Sequence, residues 1–494
     1  MAQRKAQIPP PEKLSRRLID YPGYKNRNPV AAELQILGGL FLEAITRAPE
    51  VEDTFLKECY CPSGALSQYA LVSKEILRTR YSIFFEKEAE VKLEEAQLKG
   101  KVAPEVFGDV VAASLARRPI ILLGDVGVGK SIFIRHLVRV DASEQFERAL
   151  VLYLNFGGQP ALADELKAYV RGEFISQLLE KHGIDIFEDG FVRGVYHFDL
   201  ERFGRGIYQT YRDSDPDLFR QKEVEFLAER IEDEEEHLRR SLDHAAKAQR
   251  RQIVVFLDNV DQRPATFQEE CFLIAQALAE TWPATCFVSL RPDTFLQSRA
   301  TGALAAYQPR VFTIRPPRVD RVIERRLRFG KAQLESYGRL PNFPTGLTID
   351  SDTLNRYLDV LLDGFSKNER LVSFVDNMSG GNTRRALDFL VAFVGSGHVD
   401  AEKILRILEE SGSYTLPVHE FLRAVIYGNY EHFEPNESPI ANLFDISSAD
   451  GREHFLLSSI LEYVSRAAEG TVEQGYVAIE SIFDFAQGLR FTPQ

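Results

Sequence analysis

Pro119–Leu137, PIILLGDVGVGKSIFIRHL, is an apolar run, a cluster of glycines and then apolar residues at helical spacing. That succession predicts a buried strand, a tight turn and a helix. Gly124–Ser131 matches G-x-x-x-x-G-K-S without a mismatch. Gly124, Gly127 and Gly129 allow the backbone to curl so that successive N–H groups face phosphate oxygens. Lys130 is expected to reach the β- and γ-phosphates, and the Ser131 hydroxyl to sit on Mg²⁺. The helix starting there adds its positive dipole end. The expected binding set is the whole loop: Gly124, Asp125, Val126, Gly127, Val128, Gly129, Lys130, Ser131 and Ile132.

Reading outward, the next informative stretch is IVVFLDNVDQ, residues 253–262. An apolar strand ending in Asp258 supplies the carboxylate that a phosphate loop needs near its serine, holding Mg²⁺ directly or through water. Asp261, three residues on, is placed to orient or activate an attacking water, although Asp-x-x-Asp also suits a plain turn. Further apolar runs at 149–156, 284–295 and 310–318 join those at IILL and 252–262 as five expected strands. Short apolar strands alternating with helices imply an α/β fold with a parallel sheet covered on both faces.

Four regions are expected around this frame. Residues 1–104 read as a helical N-terminal module behind a basic, proline-containing start. Residues 105–318 form the core, its 106–118 stretch a helix leading into the first strand and a helical insertion occupying about 160–250, too long for a plain crossover. Residues 319–412 read as a helical lid. Residues 413–494 resemble the opening helices of a winged-helix domain, and the pattern is expected to continue beyond Gln494, because Thr492-Pro493 suits the start of another helix.

Composition narrows the function classes. The chain has 494 residues, 44% hydrophobic and 27% charged, ordinary for a globular protein. Its net charge of −13 argues against a chain that wraps a polyanion as a whole. Cys271 and Cys286 lie in apolar runs and read as small core residues. Cys59 and Cys61 are too close for an ordinary disulfide and lack a second zinc pair. The N-terminus has no signal-like apolar region, and no run of about 18 apolar residues occurs, so a cytoplasmic protein without a membrane span is expected. His136 reads as packing or surface, and Trp282, the single tryptophan, as core or interface.

The order of glycine loop, LDNVDQ, VSLRPDTF and SGGNTRRAL resembles the AAA+ and STAND ATPases, most closely their origin-recognition-like branch, over about residues 105–395. The resemblance implies a P-loop NTPase with a five-stranded sheet and a lid, binding ATP and Mg²⁺. It implies a sensor on the strand after the acidic one, where Ser289 and Arg291 stand, and a second sensor at the start of a lid helix, bringing Arg384, or less readily Arg385, to the γ-phosphate. Gly380 and Gly381 would allow the close approach. An arginine acting from a neighbouring subunit has candidates in Arg310, Arg315 and Arg318. One departure bears on rate: Asn259 stands where most hydrolysing members carry glutamate, which implies slow, switch-like hydrolysis. The implied roles are those of signalling and phage-defence ATPases that assemble as homo-oligomers or activate a protein partner. A DNA-binding initiator, or a scaffold that holds ATP without hydrolysing it, is the alternative.

Overall fold

The computed structural model describes residues 49–62, 68–70, 72–74, 76, 118–158, 166–337, 351–412, 414–428, 430, 433–444, 451–467 and 477–491. These fall into two compact units, one from Glu43–Gly330 with Val372–Leu387, the other from Lys331–Leu371 with Asp388–Gln494. The expected helices over most of 31–48, 77–101 and 106–117 lie outside the described residues.

The first unit begins with α1 (Pro49–Cys59) and then strand β1 (Ile120–Leu123). After the glycine loop comes α2 (Lys130–His136), then α3 (Ser143–Glu147) and β2 (Ala149–Asn155). Six helices follow: α4 (Leu166–His182), α5 (Asp189–Val195), α6 (His197–Gly204), α7 (Gln209–Ser214), α8 (Pro216–Glu232) and α9 (Glu234–Gln249). The sheet resumes with β3 (Gln252–Asp258), α10 (Ala265–Thr281), β4 (Ala284–Leu290), α11 (Pro292–Thr301) and β5 (Arg310–Thr313).

All five strands are parallel, in the order β2-β3-β4-β1-β5. β3 and β4 are buried at every residue, which explains their continuous apolar sequence. The pleat divides the core in two. Ile121, Leu152, Val255 and Val288 face α4, α9 and α10, whereas Ile120, Leu122, Phe256 and Phe287 face α2 and α3. The insertion adds a small core of its own, with Val192, Tyr196 and Leu227 closed together beyond α4 and α9.

Three expected strands end several residues before their runs do. The run 284–295 is strand only to Leu290, because Pro292 has no N–H for a ladder and its fixed φ opens α11. The run 310–318 stops at Thr313, ahead of the Pro316-Pro317 pair. The run 252–262 likewise ends as strand at Asp258, and Val260–Gln262 form a 3₁₀ turn.

α12 (Val319–Tyr337), α13 (Ser351–Lys367), α14 (Glu369–Ser379), α15 (Thr383–Val394), α16 (Ala401–Ser411), α17 (Val418–Tyr427), α18 (Leu456–Ala467) and α19 (Ile479–Gly488) complete the chain. In the second unit the buried Phe421 ring lies 5.8 Å from that of Phe365 and 5.2 Å from that of Phe393. Among its described residues there is no strand, so a wing is not part of the described C-terminal segment. No helix among the described residues is long and apolar enough to cross a membrane.

Candidate functional site

Parallel strands end together, and the chemistry-bearing residues collect at their carboxyl edge, where open α/β sheets form crevices. The glycine loop leaves β1 there. Gly127 has φ +86° and Gly129 φ +103°, conformations that residues with a Cβ rarely adopt. Gly129 precedes the first turn of α2, whose start has no side-chain cap and no acidic residue in its first turn. A Cβ on Gly129 would meet nothing within 4 Å, so the loop is open on that side. Uncapped N–H groups beside open space can take an anion.

Lys130 is folded into the loop, only 5% exposed. Its ammonium donates to Gly124 O at 2.5 Å and Asp125 O at 2.8 Å, and pairs with Asp261 Oδ2 at 3.1 Å. Burial pushes its pKa down, with Asp261 pulling in the opposite direction. Asp261 is 2% exposed, and its second oxygen, Oδ1, is buried without a hydrogen-bond partner.

Asp258 closes β3 and is fully buried. Tyr153 of β2 donates its hydroxyl to Asp258 Oδ2 at 2.5 Å, and the Asn259 N–H donates to Oδ1 at 2.8 Å. Burial first, then the Asp258 charge, raises the pKa of Tyr153 well above the ordinary tyrosine value, so the hydroxyl stays a donor. The strand register explains the neighbours: Asn155 stands opposite Asp258. Asn155 Oδ1 accepts from Asn259 Nδ2 at 2.8 Å and from Gly157 N–H at 3.0 Å, and Gln262 Nε2 donates to Asn259 Oδ1 at 3.0 Å. Asn259 itself has φ +57°, a left-handed conformation that asparagine tolerates. This bend returns the chain so that Asp261 comes to Lys130.

Ser289 is buried on β4; its hydroxyl accepts from Val260 N–H at 3.2 Å and donates to Leu257 O at 3.4 Å, bracing the same turn. Arg291 has its backbone N–H held by Gln268 Oε1 at 3.1 Å, while its side chain is exposed. Across the loop, Thr383 N–H donates to Gly127 O at 3.2 Å, and a Cβ on Gly127 would fall 2.2 Å from Asn382 Oδ1. The SGGN turn, with Gly380 at φ +58° and Gly381 at φ +77°, thus lies against the glycine loop. Arg384 and Arg385 beside it are exposed.

The structure therefore brings together the loop, Lys130, Asp258, Asp261, Ser289 and the start of α15, and leaves Arg291, Arg384 and Arg385 with exposed side chains. Arg310 lies over the Phe312 ring, Arg318 pairs with Asp320, and Arg315 is exposed. His136 stacks on Tyr60 and bonds Asp141, and Trp282 packs against the main core. Burial pushes the Cys59 thiol up to about 12, which leaves little thiolate at neutral pH.

Sequence reasoning passed over Tyr153, Asn155 and Asn382. Tyr153 and Asn155 alternate with leucines on an otherwise apolar strand, a signal that was available. Asn382 lay inside the quoted GGN segment without a role.

Ser131 and Asp258 could hold a divalent cation, given that Mg²⁺ is commonly bound by one or two protein oxygens with water and phosphate completing the octahedron. Each Asp258 oxygen has one donor in the protein, so lone pairs remain. Among the described residues no group of three or more His, Cys, Asp and Glu could enclose a metal without such outside ligands. Comparison with protein-family models, with curated proteins and with solved structures finds no significant match.

Proposed function

We propose that this chain is a nucleoside-triphosphate-binding switch of the AAA+/STAND kind, with ATP as the nucleotide, slow hydrolysis, and assembly or partner activation as the output. The observation that carries the reading is a buried lysine on a glycine loop facing two buried aspartates at the carboxyl edge of a parallel sheet. Such a site suits phosphoryl chemistry, where positioning and charge neutralisation supply most of the catalysis.

In this reading the loop N–H groups and Lys130 bind the phosphates, and Ser131 and Asp258 hold Mg²⁺. The cation supplies charge neutralisation on the phosphate oxygens. Tyr153 orients Asp258, and Asp261 orients the attacking water. Arg291 and Arg384, both exposed, are free to turn toward the nucleotide. Asn382 and Thr383, touching Gly127, carry the state of the loop into α15.

A non-hydrolysing scaffold is the second reading, favoured by Asn259. Its amide is tied to Asn155 and Gln262 and provides no base. Fluorescent-ATP binding, phosphate release and particle size, measured on wild type and Lys130→Ala, test both. Micromolar binding lost in the variant, with slow phosphate release and a nucleotide-dependent change in size, is expected. Binding without release above background selects the scaffold. Equal behaviour of the two proteins refutes the nucleotide reading.

A further inference from the structure

We infer that Asp261 competes with the nucleotide for Lys130, so that the Lys130–Asp261 ion pair sets the affinity of the loop for phosphate; this rests on the nucleotide-binding reading above. A lysine ammonium has three N–H donors. All three are engaged inside the protein, on Gly124 O, Asp125 O and Asp261 Oδ2. A phosphate oxygen can reach the ammonium only by replacing one of these acceptors. Two are neutral carbonyls of the loop that curls around the lysine. Asp261 is the charged one, and it sits on a different element, the turn after β3.

The exchange has a consequence on the acid's side. Asp261 is 2% exposed and its Oδ1 has no partner, so Lys130 is its counter-charge. Phosphate that draws Lys130 away leaves a buried carboxylate to be satisfied anew, and that desolvation cost is subtracted from the binding free energy. The same step releases a carboxylate at the loop only once phosphate has arrived. Asp261 is thereby a brake on binding before it is an acceptor for water, and the two roles are taken in sequence by one side chain.

The test is the dissociation constant of the fluorescent analogue mant-ADP, measured in EDTA so that no metal contributes, for wild type, Asp261→Asn and Asp258→Asn, each checked for folding by circular dichroism. Asp261→Asn keeps the shape and removes the charge that holds Lys130. It should bind about ten- to a hundredfold more tightly, the range expected when a hydrogen-bonded charge no longer has to be given up. Asp258→Asn removes a neighbouring charge that no hydrogen bond or ion pair links to Lys130, and should gain much less. If Asp261→Asn does not fold, Asp261→Ser makes the same charge change with a smaller side chain. Tight binding by the Asp261 variant where wild type binds poorly supports the inference. Unchanged affinity in a wild type that does bind, or an equal gain in both variants, overturns it and leaves the nucleotide reading standing. No binding by any of the proteins overturns both.

Discussion

Tyr153→Phe deletes one oxygen atom and tests whether the Asp258 carboxylate is held by its neighbour strand. The hydroxyl donates to a fully buried carboxylate at 2.5 Å, a charge-assisted bond in a water-poor setting. Hydrogen bonds to charged groups contribute about 1.5–3 kcal/mol net. Asp258 keeps its second donor, the Asn259 N–H, so the carboxylate is not stripped bare. We therefore expect a loss of about 2 kcal/mol. Trp282 is the single tryptophan and packs against the main core, so its fluorescence reports the unit that holds the site. With a guanidinium slope of about 2–6 kcal/mol/M, the unfolding midpoint should fall by about 0.3–1 M. The pH dependence carries a sign. Burial and then Asp258 raise the folded-state pKa of Tyr153 above its unfolded value of 10.0. Its stabilisation is thus fully present below pH 10 and lost only as pH rises through the folded value. The gap between wild type and variant should be flat from about pH 6 to 9. A midpoint unchanged within about 0.1 M at constant slope would refute the claim that Tyr153 holds Asp258.

Acid should weaken the first unit through three histidines of the insertion. Burial lowers the pKa of His182, His237 and His244 below 6.5 in the folded protein, so the unfolded chain binds more protons below that pH. Stability is present above pH 6.5 and lost as pH falls below it; Trp282-monitored unfolding at pH 7.5 and 5.5 should show this loss, reduced in His237→Gln. Gly127→Ala should destabilise more than Gly129→Ala. Both incur the left-handed backbone cost of about 1–2 kcal/mol, but only at Gly127 does the new Cβ run into Asn382. Asn382→Gly should narrow the difference in the same unfolding assay. Arg291→Ala and Arg384→Ala, at exposed side chains, should each leave stability within about 0.5 kcal/mol while lowering phosphate release; a large loss of stability with unchanged release would remove them from the site.

Local signals made much of the sheet legible. IILL, QIVVFLD and ATCFVSL are largely apolar runs, which is what strands buried on both faces need, whereas the flanking strands ALVLYLN and RVFT are apolar with partly exposed polar positions. The prolines that ended two of them early were also in view: Pro292 starts α11, and Pro316-Pro317 follows β5. Strand order was not legible, because three of the four pairings that fix β2-β3-β4-β1-β5 join segments more than a hundred residues apart, β3 with β4 being the exception. For the same reason the sequence could not announce that Tyr153 would meet Asp258, 105 residues away, or that Asn155 would stand opposite it. Arg291 and Arg384 stand at telling positions in a pattern, but position alone says nothing about where a long, solvated side chain points.

The Asp258-x-x-Asp261 spacing allowed two readings, a tight turn or a pair of working acids, and the geometry makes these one arrangement. Asn259 at φ +57° bends the chain immediately after β3, and Ser289 and Gln262 brace the bend from either side. Without that turn the second acid would run on along the sheet edge, away from Lys130. With it, one carboxylate stays under Tyr153 while the other closes on the lysine at 3.1 Å. Asparagine at 259 thus suits the turn, being among the few residue types besides glycine that adopt this backbone readily. A β-branched residue there would oppose the left-handed backbone and withdraw Asp261 from the loop. Asn259→Val should accordingly loosen the Lys130–Asp261 pair and tighten mant-ADP binding in EDTA in the same direction as Asp261→Asn; a wild-type dissociation constant in the folded variant would refute the link between the turn and the pair.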